Sequence, residues 1–253
     1  MEQNNPADLP REKGAAMSIS AERVRGPRLR RGLQLALTSV AVLLAAILAV
    51  HLIGHHSKAT FVGSGGPAAQ TRSLPPFVSV YMTGISSLSL QIGSRQSVVV
   101  SADNNLLGRI TTRVVSDTLV VGNKPGSYSV KTPIVVRVTV PSALSLTLDG
   151  EGDITASGIH QSALTLALDG VGTIWANGTA TRLHLTIDGA GDAQLEPLTA
   201  RDATVVINGD SQARLTATNS LSTTIAGNGS VSYLGNPPHV TSTVTGDGRV
   251  SRG

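Results

Sequence analysis

A glycine recurs every 18 to 20 residues through the second half of this 253-residue chain. The anchoring glycines are Gly150, Gly170, Gly189, Gly209, Gly227 and Gly246, and the spacings between them are 20, 19, 20, 18 and 19 residues. Six copies at such a period predict a solenoid, because one short repeat cannot bury its own apolar face and must stack on its neighbours. Residues 142–253 are therefore expected to form stacked coils of β-strands.

The residues before each anchoring glycine alternate in character. Side chains along a strand point to opposite faces in turn, so the positions two, four and six residues before the glycine should face inward. A second apolar column follows four residues after the glycine. Because the period drifts from copy to copy, it favours a right-handed parallel β-helix over a left-handed hexapeptide helix, which needs a strict multiple of six. The predicted inward column is Leu144, Leu146, Leu148, Leu164, Leu166, Leu168, Leu183, Leu185, Ile187, Ala203, Val205, Ile207, Leu221, Thr223, Ile225, Val240, Ser242 and Val244, and the second column is Ile154, Ile174, Ala193, Ala213, Val231 and Val250.

Composition excludes several classes of function. The chain has no cysteine, so it has no disulfide, thiolate metal site or cysteine nucleophile. Its aromatic content of 2% favours thin stacked layers over a bulky globular core. Residues 54–253 hold thirteen Lys and Arg against twelve Asp and Glu. This part is nearly neutral and lacks a basic stripe, so no nucleic-acid partner is expected.

One apolar run predicts a membrane anchor. It begins at Leu33 and ends at Ile53, and 21 residues of helix span a hydrocarbon layer of about 30 Å. Five arginines precede the run within ten residues, so the positive-inside rule places the N-terminus in the cytoplasm and the rest outside the inner membrane of a bacterium. A cleaved signal peptide ending near Ala59 is the alternative. The predicted organisation is a mostly disordered basic tail (1–32), a transmembrane helix (33–53), a flexible tether (54–76) and a folded domain (77–253).

Two further segments carry a family resemblance. The run SVVVSADNNLLGRITTRVVSDTLVV covers 97–121, and PIVVRVTVPSALSLTLDGEGDI begins at Pro133 and leads into the glycine repeats. Together with the DGxGD-like turns they resemble the bacterial GIN domain, described as the head of an auto-transporter adhesin. The resemblance covers about 78–253. It implies a right-handed β-helix with a more irregular, strand-rich N-terminal part, and it brings no catalytic residue or cofactor to carry over.

Acidic residues precede three of the anchoring glycines. Asp149, Asp169 and Asp188, followed by Asn208, occupy the same position of the repeat and should stack. Carboxylates about 4.8 Å apart repel by roughly 1 kcal/mol in water, and a calcium ion could relieve this. Glu151, Asp153 and Asp192 lie nearby in sequence. Against calcium, Asp and Asn simply favour turns that contain glycine, and the calcium-binding nonapeptide is absent. A glycosidase pair is a further alternative.

A third column is rich in hydroxyl groups. It should face outward, and it consists of Ser145, Thr165, His184, Thr204, Ser222 and Thr241. The sequence therefore predicts a membrane-anchored, exported, non-catalytic module with an adhesin-like or structural role in the envelope. Its expected partners are an envelope polysaccharide or protein, and a second copy bound through the edge of the C-terminal coil. The alternative is a calcium-dependent glycan binder or polysaccharide-cleaving envelope enzyme that uses the acidic turns.

Overall fold

The computed structural model describes residues 60–253. Within this range no helix combines the length and the apolar character of a membrane span. The predicted basic tail (1–32) and the predicted transmembrane helix (33–53) lie outside the described residues.

Residues 60–253 fold almost entirely into β-strands, which confirms the predicted all-β class. One 3-10 helix, Leu107–Arg109, interrupts them. The strands are β1 (Thr60–Val62), β2 (Pro67–Thr71), β3 (Ser79–Ile85), β4 (Ser87–Ile92), β5 (Ser97–Asp103), β6 (Ile110–Val115), β7 (Thr118–Asn123), β8 (Ser127–Ser129), β9 (Val135–Val140), β10 (Ser145–Leu168), β11 (Val171–Asp188), β12 (Ala190–Asn208), β13 (Gln212–Ala226), β14 (Ser230–Leu234), β15 (His239–Thr245) and β16 (Arg249–Arg252).

The second half is a β-solenoid of about five turns, as the glycine period predicts. β10, β11, β12 and β13 pair in parallel, each with the next, and the register keeps the repeat aligned. Ile154 pairs with Ile174, and Ile174 pairs with Ala193. β14 and β15 both pair with β13, and β16 pairs with β14. The parallel direction is confirmed, and the right-handed sense of the coil stays a prediction.

The inward columns form the core of the solenoid. From β10 to β13 their leucines, isoleucines, valines and alanines are almost completely buried. Burying one Leu or Ile side chain stabilises a fold by roughly 1.5–3 kcal/mol relative to leaving it exposed. Since each coil contributes several such side chains, stacking the repeats supplies the apolar burial that one repeat lacks.

The anchoring glycines allow successive coils to approach closely at the corner between two faces. A Cβ atom on Gly150 would lie 2.3 Å from the carbonyl oxygen of Gly84, and one on Gly170 would lie 2.0 Å from that of Gly150. Both distances are shorter than any real contact, so a side chain at either position would push the coils apart. The fourth copy has Ser211 where other copies have a second glycine. Its hydroxyl donates to the Gly189 carbonyl at 2.8 Å and so is satisfied inside the stack.

Four residues of the predicted inward column, Leu144, Val240, Ser242 and Val244, are exposed, so the prediction is wrong for them. Leu144 is 43% exposed because it precedes the start of β10, and Ala143 takes the buried place instead. Val240 and Val244 continue the column in β15 and are 43% and 39% exposed, because among residues 60–253 no further coil lies beyond them.

The first half is irregular, in agreement with what the family resemblance implied. β4 pairs in parallel with β9, but β9 pairs antiparallel with β5, and β5 pairs antiparallel with β2. β6 and β7 form an antiparallel hairpin whose two-residue loop, Ser116 and Asp117, has positive φ angles of 47° and 62°. β3 and β4 join this half to β10, so both halves share one apolar core.

The tether prediction is wrong from Thr60 onward. β1 pairs in parallel with β8, and β2 pairs antiparallel with β5. The buried carboxylate of Asp103 holds the loop between β1 and β2, because the backbone N–H groups of Gly65, Lys131 and Thr132 donate to it at 2.8, 2.9 and 3.1 Å. The Gly- and Ser-rich composition looked typical of a linker, but here glycine provides the space that this close packing requires.

Candidate functional site

Three carboxylates and one amide stack at a corner of the solenoid, as the repeat predicts. Asp188 pairs with Asn208 in the parallel ladder of β11 and β12. The backbone N–H of Asp169 donates to the Leu148 carbonyl at 2.8 Å, which places Asp169 beside Asp149. We call Asp149, Asp169, Asp188 and Asn208 the acidic column. It runs along the solenoid axis and offers one side chain per coil.

Hydrogen-bond donors close both ends of the acidic column. The Tyr81 hydroxyl donates to the Asp149 carboxylate. At the other end the side-chain amide of Asn208 donates to the Asp188 carboxylate. Asp169 lies between the two other carboxylates, and within residues 60–253 no donor reaches its side chain. The charge of the middle carboxylate is therefore the least compensated of the three.

The pKa values follow from this arrangement. Partial burial raises the pKa of Asp169, and the charges of Asp188 and Asp149 raise it further. Burial also raises the pKa of the Tyr81 hydroxyl, and the hydrogen bond to Asp149 adds to this because it ties the hydroxyl proton to a carboxylate. Tyr81 is therefore a donor at neutral pH. Burial favours the neutral form of both groups, and the neighbouring carboxylates favour it further.

The carboxylates of the acidic column lie in a row and do not surround a common point. Among residues 60–253, no three acidic or histidine side chains gather closely enough to hold a metal ion. Asp153 and Asp192 each lie four residues after a member of the acidic column, beyond the corner. Thr173 stands between them in the ladder. Asp153 accepts a hydrogen bond from the Thr173 backbone N–H at 3.0 Å. A cation on the column would thus find one carboxylate per coil and would take its other ligands from water.

The hydroxyl column lies where the sequence predicted it. The register aligns its members from Thr165 onward, since Thr165 pairs with His184, His184 with Thr204, and Thr204 with Ser222. None of its members is buried. The acidic column lies four residues further along the same strands, so both columns lie on one outward face.

A second outward face carries the chain's single tryptophan. Trp175 is half-buried and stands in the ladder between Thr155 and Gln194. Asp153 and Asp192 lie diagonally from it on the same face. The glycine period does not reveal this grouping, because Trp175 has no aromatic counterpart at the same position of the other coils. The signal that would have found it is its outward position, five residues after an anchoring glycine.

The sequence also missed the role of Asp103 and the two asparagines after it. Asn105 accepts from the Ser64 backbone N–H at 3.0 Å and donates to the Val62 carbonyl at 2.9 Å, and Asn104 accepts from the Ser64 hydroxyl at 2.7 Å. These contacts fasten the start of the domain. They are structural, and they explain why an Asp-Asn-Asn run stands at the end of a buried strand.

Comparisons with known proteins agree with this architecture. A family model described as "Putative auto-transporter adhesin, head GIN domain" matches residues 76–237. The crystal structure of a "putative adhesin" from Bacteroides fragilis is 17% identical, with a TM-score of 0.63, and the match covers 76% of this chain and 99% of that chain. It shows a shared fold. A search of curated proteins finds no significant match.

Two other solved structures align over a similar length. A "putative lipid binding protein" from Parabacteroides distasonis is 15% identical, with a TM-score of 0.45, over 77% of this chain and 99% of that chain. A "putative adhesin" from Parabacteroides merdae is 17% identical, with a TM-score of 0.43, over 77% of this chain and 99% of that chain.

Proposed function

Because the chain belongs to the GIN-domain family of auto-transporter adhesin heads, we propose that it is an exported, adhesin-like binding module of a bacterial cell envelope, without catalytic activity. The observation that carries this proposal is the pair of outward faces along the solenoid, on which the ladders align the same position of each coil. Their side chains repeat at the strand spacing of about 4.8 Å, so they present a regular surface to an extended ligand.

The Trp175 face suits a polysaccharide better than the hydroxyl face does. An indole ring combines a large apolar surface with one polar group, and such rings are common in binding sites. Around Trp175 the neighbours Thr155 and Gln194 offer hydroxyl and amide groups that can bond to sugar hydroxyls. A protein ligand of the envelope is the other partner that we propose to test.

We also propose that the apolar run from Leu33 to Ile53 anchors the chain in the inner membrane. The five arginines before it support a cytoplasmic N-terminus and a periplasmic domain. A reporter enzyme that is active only in the periplasm should be active when it is fused to the C-terminus of the full chain. The chain should also stay in the membrane fraction during extraction at alkaline pH. A chain that is released from membranes would point to the cleaved signal peptide instead.

Ligand binding is tested with the domain 60–253. This domain contains its own core, and the match with the Bacteroides fragilis protein covers 99% of that chain, so the fold exists there as a separate chain. We expect binding on a glycan array or in an envelope pull-down, and a loss of about tenfold or more in Trp175→Ala. Val171→Ala removes an exposed side chain at the corner and is the matched control. No binding in either assay would leave only a structural role.

The alternative function is calcium-dependent glycan binding or polysaccharide cleavage at the acidic column. Burial raises the pKa of Asp169 and the charges of Asp188 and Asp149 raise it further, and this second contribution favours the alternative because a cation would relieve the repulsion. Its test is a calcium titration of the domain 60–253, followed by thermal unfolding. A clear rise in Tm that vanishes in both Asp169→Ala and Asp188→Ala would support the alternative. A Tm that does not respond to calcium argues against a bound cation at the acidic column.

A further inference from the structure

β15 is an edge strand that is exposed along its whole length. It pairs in parallel with β13 on one side, and within residues 60–253 no strand pairs with its other side. Val240 and Val244 continue the buried columns of Leu221 and Ile225, yet they are 43% and 39% exposed. Exposed apolar side chains along an open strand edge are a template for pairing with another chain.

The free hydrogen-bonding groups of this edge can be identified. In a parallel ladder, successive residues bond alternately to the strand on one side and on the other. The Gly227 backbone N–H donates to the Thr245 carbonyl at 2.9 Å, so the odd-numbered residues of β15 bond towards β13. Val240, Ser242 and Val244 therefore direct their N–H and C=O groups to the open edge, and these are the residues of the inward column.

The sequence of the edge is symmetric about Ser242. Residues 240–244 read Val-Thr-Ser-Thr-Val. When a second copy of β15 is placed antiparallel about this point, Ser242 lies opposite Ser242, and Val240 lies opposite Val244. Every free backbone group of one edge then meets a free group of the other, and each exposed valine meets a valine. A slip of one residue would set free groups against groups that already bond to β13.

We infer that two copies of this chain associate through β15 as a two-fold symmetric, antiparallel pair centred on Ser242. This inference does not rest on the proposed function, and it names an interaction surface that a binding module of any kind could use. A symmetric dimer needs a self-complementary patch, and the symmetric sequence about Ser242 provides one.

The register sets no charged side chain of one β15 strand against a charged side chain of the other, because His239 is the only titratable residue within β15.

A buried hydroxyl lies beside the centre of the proposed pair. Thr223 is 2% exposed, and its Oγ1 atom has no hydrogen-bond partner. It pairs with Ser242 in the ladder. In the proposed dimer the inward column would run through Thr223 and Ser242 of one copy and then Ser242 and Thr223 of the other. The pairing would bury Ser242 between Thr223 of its own copy and Ser242 of the second copy, and these two side chains are then the nearest hydrogen-bond partners of its hydroxyl.

The first test is the state of association of the domain 60–253 by sedimentation velocity. One strand edge is smaller than a standard protein interface, so we expect a weak dimer, visible between about 1 µM and 1 mM. Val244→Lys should be monomeric throughout, because it places a charge on the inward side of the edge. Thr224→Lys, which lies outward and one coil away, should dimerise like the parent. Circular dichroism checks that both variants are folded, and a parent that stays monomeric at 1 mM overturns the inference.

The second test determines the register of the pair by cross-linking. The chain has no native cysteine, so any disulfide must form between the introduced cysteines. The pairing sets Thr241 opposite Thr243 of the second copy, about 4.5 Å apart between Cα atoms, which suits a disulfide. A mixture of Thr241→Cys and Thr243→Cys proteins should cross-link under mild oxidation. Either protein alone places its two cysteines diagonally, about 7–8 Å apart, and should cross-link poorly. Cross-linking that is equal in the mixture and in the single variants overturns the proposed register.

Discussion

The two halves of the domain are stabilised in different ways. In the coils from Ser145 to Arg252, the same position of each repeat packs on the same position of the next, and the ladders all run parallel. In the part before Val140, strands pair in both directions, and single polar side chains hold the segments together. The coils therefore depend on a pattern, whereas the first half depends on individual residues.

Asp103 shows what such an individual residue does. Burial alone would raise its pKa, but the backbone N–H groups of Lys131, Thr132 and Gly65 lower it by more, so the folded-state pKa lies below the usual value. A lowered carboxyl pKa contributes stability above the unfolded-state pKa of about 3.9, and this contribution is lost as pH falls through the folded-state pKa. No residue of the coils bonds to so many distant backbone groups.

The largest expected effect is a cavity in the coils. Leu166→Ala should lower the free energy of unfolding by about 2–5 kcal/mol, because Leu166 is completely buried and its neighbours are fixed by the stacked strands. Urea unfolding measures the loss. Hydrogen exchange should show weaker protection chiefly in β10 and β11, since each coil contacts only its neighbours.

Thr165→Ala, one residue earlier and facing outward, is the control and should change stability by less than about 0.5 kcal/mol. Equal loss of protection over residues 60–253 would argue against independent coils.

The next effect concerns the first half. A Cβ atom on Gly63 would lie 1.9 Å from the Asp103 carboxylate, so Gly63→Ala should cost about 1–3 kcal/mol by overpacking. Proteolysis should then begin near β1 and β2 while the coils stay resistant. Gly108→Ala is the matched control, because a Cβ atom there has no atom within 4 Å. If both variants are equally stable, Asp103 does not fasten this segment as tightly as its hydrogen bonds indicate.

The same contrast decides what the sequence could predict. The glycine period was enough to predict the apolar columns, the parallel register and the acidic column. Each of these features recurs in every coil, so the same prediction is made from several copies. It failed at Leu144, which precedes the first regular strand, and at residues 60–76, where paired strands read as a linker. The bonds between Asp103 and Gly65, Lys131 and Thr132 join distant parts of the chain, and no local pattern marks them. The chemistry of the acidic column depends on the burial of Asp169 and on the donors Tyr81 and Asn208, and the glycine period alone does not predict these.

A smaller effect is expected at the contact between β1 and the rest of the first half. The Arg109 guanidinium lies 3.3 Å from the centre of the Phe61 ring and 5.6 Å from that of Tyr128, and its Nε atom donates to the Tyr128 hydroxyl at 3.1 Å. Arg109→Lys keeps the charge but loses the planar stacking, so we expect a loss of about 1 kcal/mol. Differential scanning calorimetry would detect it. Arg113→Lys, on the next strand, serves as the control, and an equal change in both variants would contradict a specific role for the stacked guanidinium.

The smallest effect tests an unfavourable feature of the coils, the repulsion within the acidic column. The folded-state pKa of Asp169 is raised, so its carboxylate costs stability once it is ionised. For a carboxyl with a raised pKa, the folded state binds the proton more tightly, and stability falls as pH rises from about 3.9 through the folded-state pKa. Asp169→Asn should therefore be more stable than the parent at pH 7, by less than about 1 kcal/mol.

This advantage should disappear as pH falls below about 4, because the parent then carries a neutral side chain at the same place. Urea unfolding of both proteins at several pH values measures it. Asp202→Asn is the opposite case, since Asn219 and Ser220 donate to Asp202 and lower its pKa. That variant should be less stable than the parent at pH 7. If Asp169→Asn is also destabilised at pH 7, something other than repulsion governs the acidic column, and a bound cation becomes the first explanation to examine.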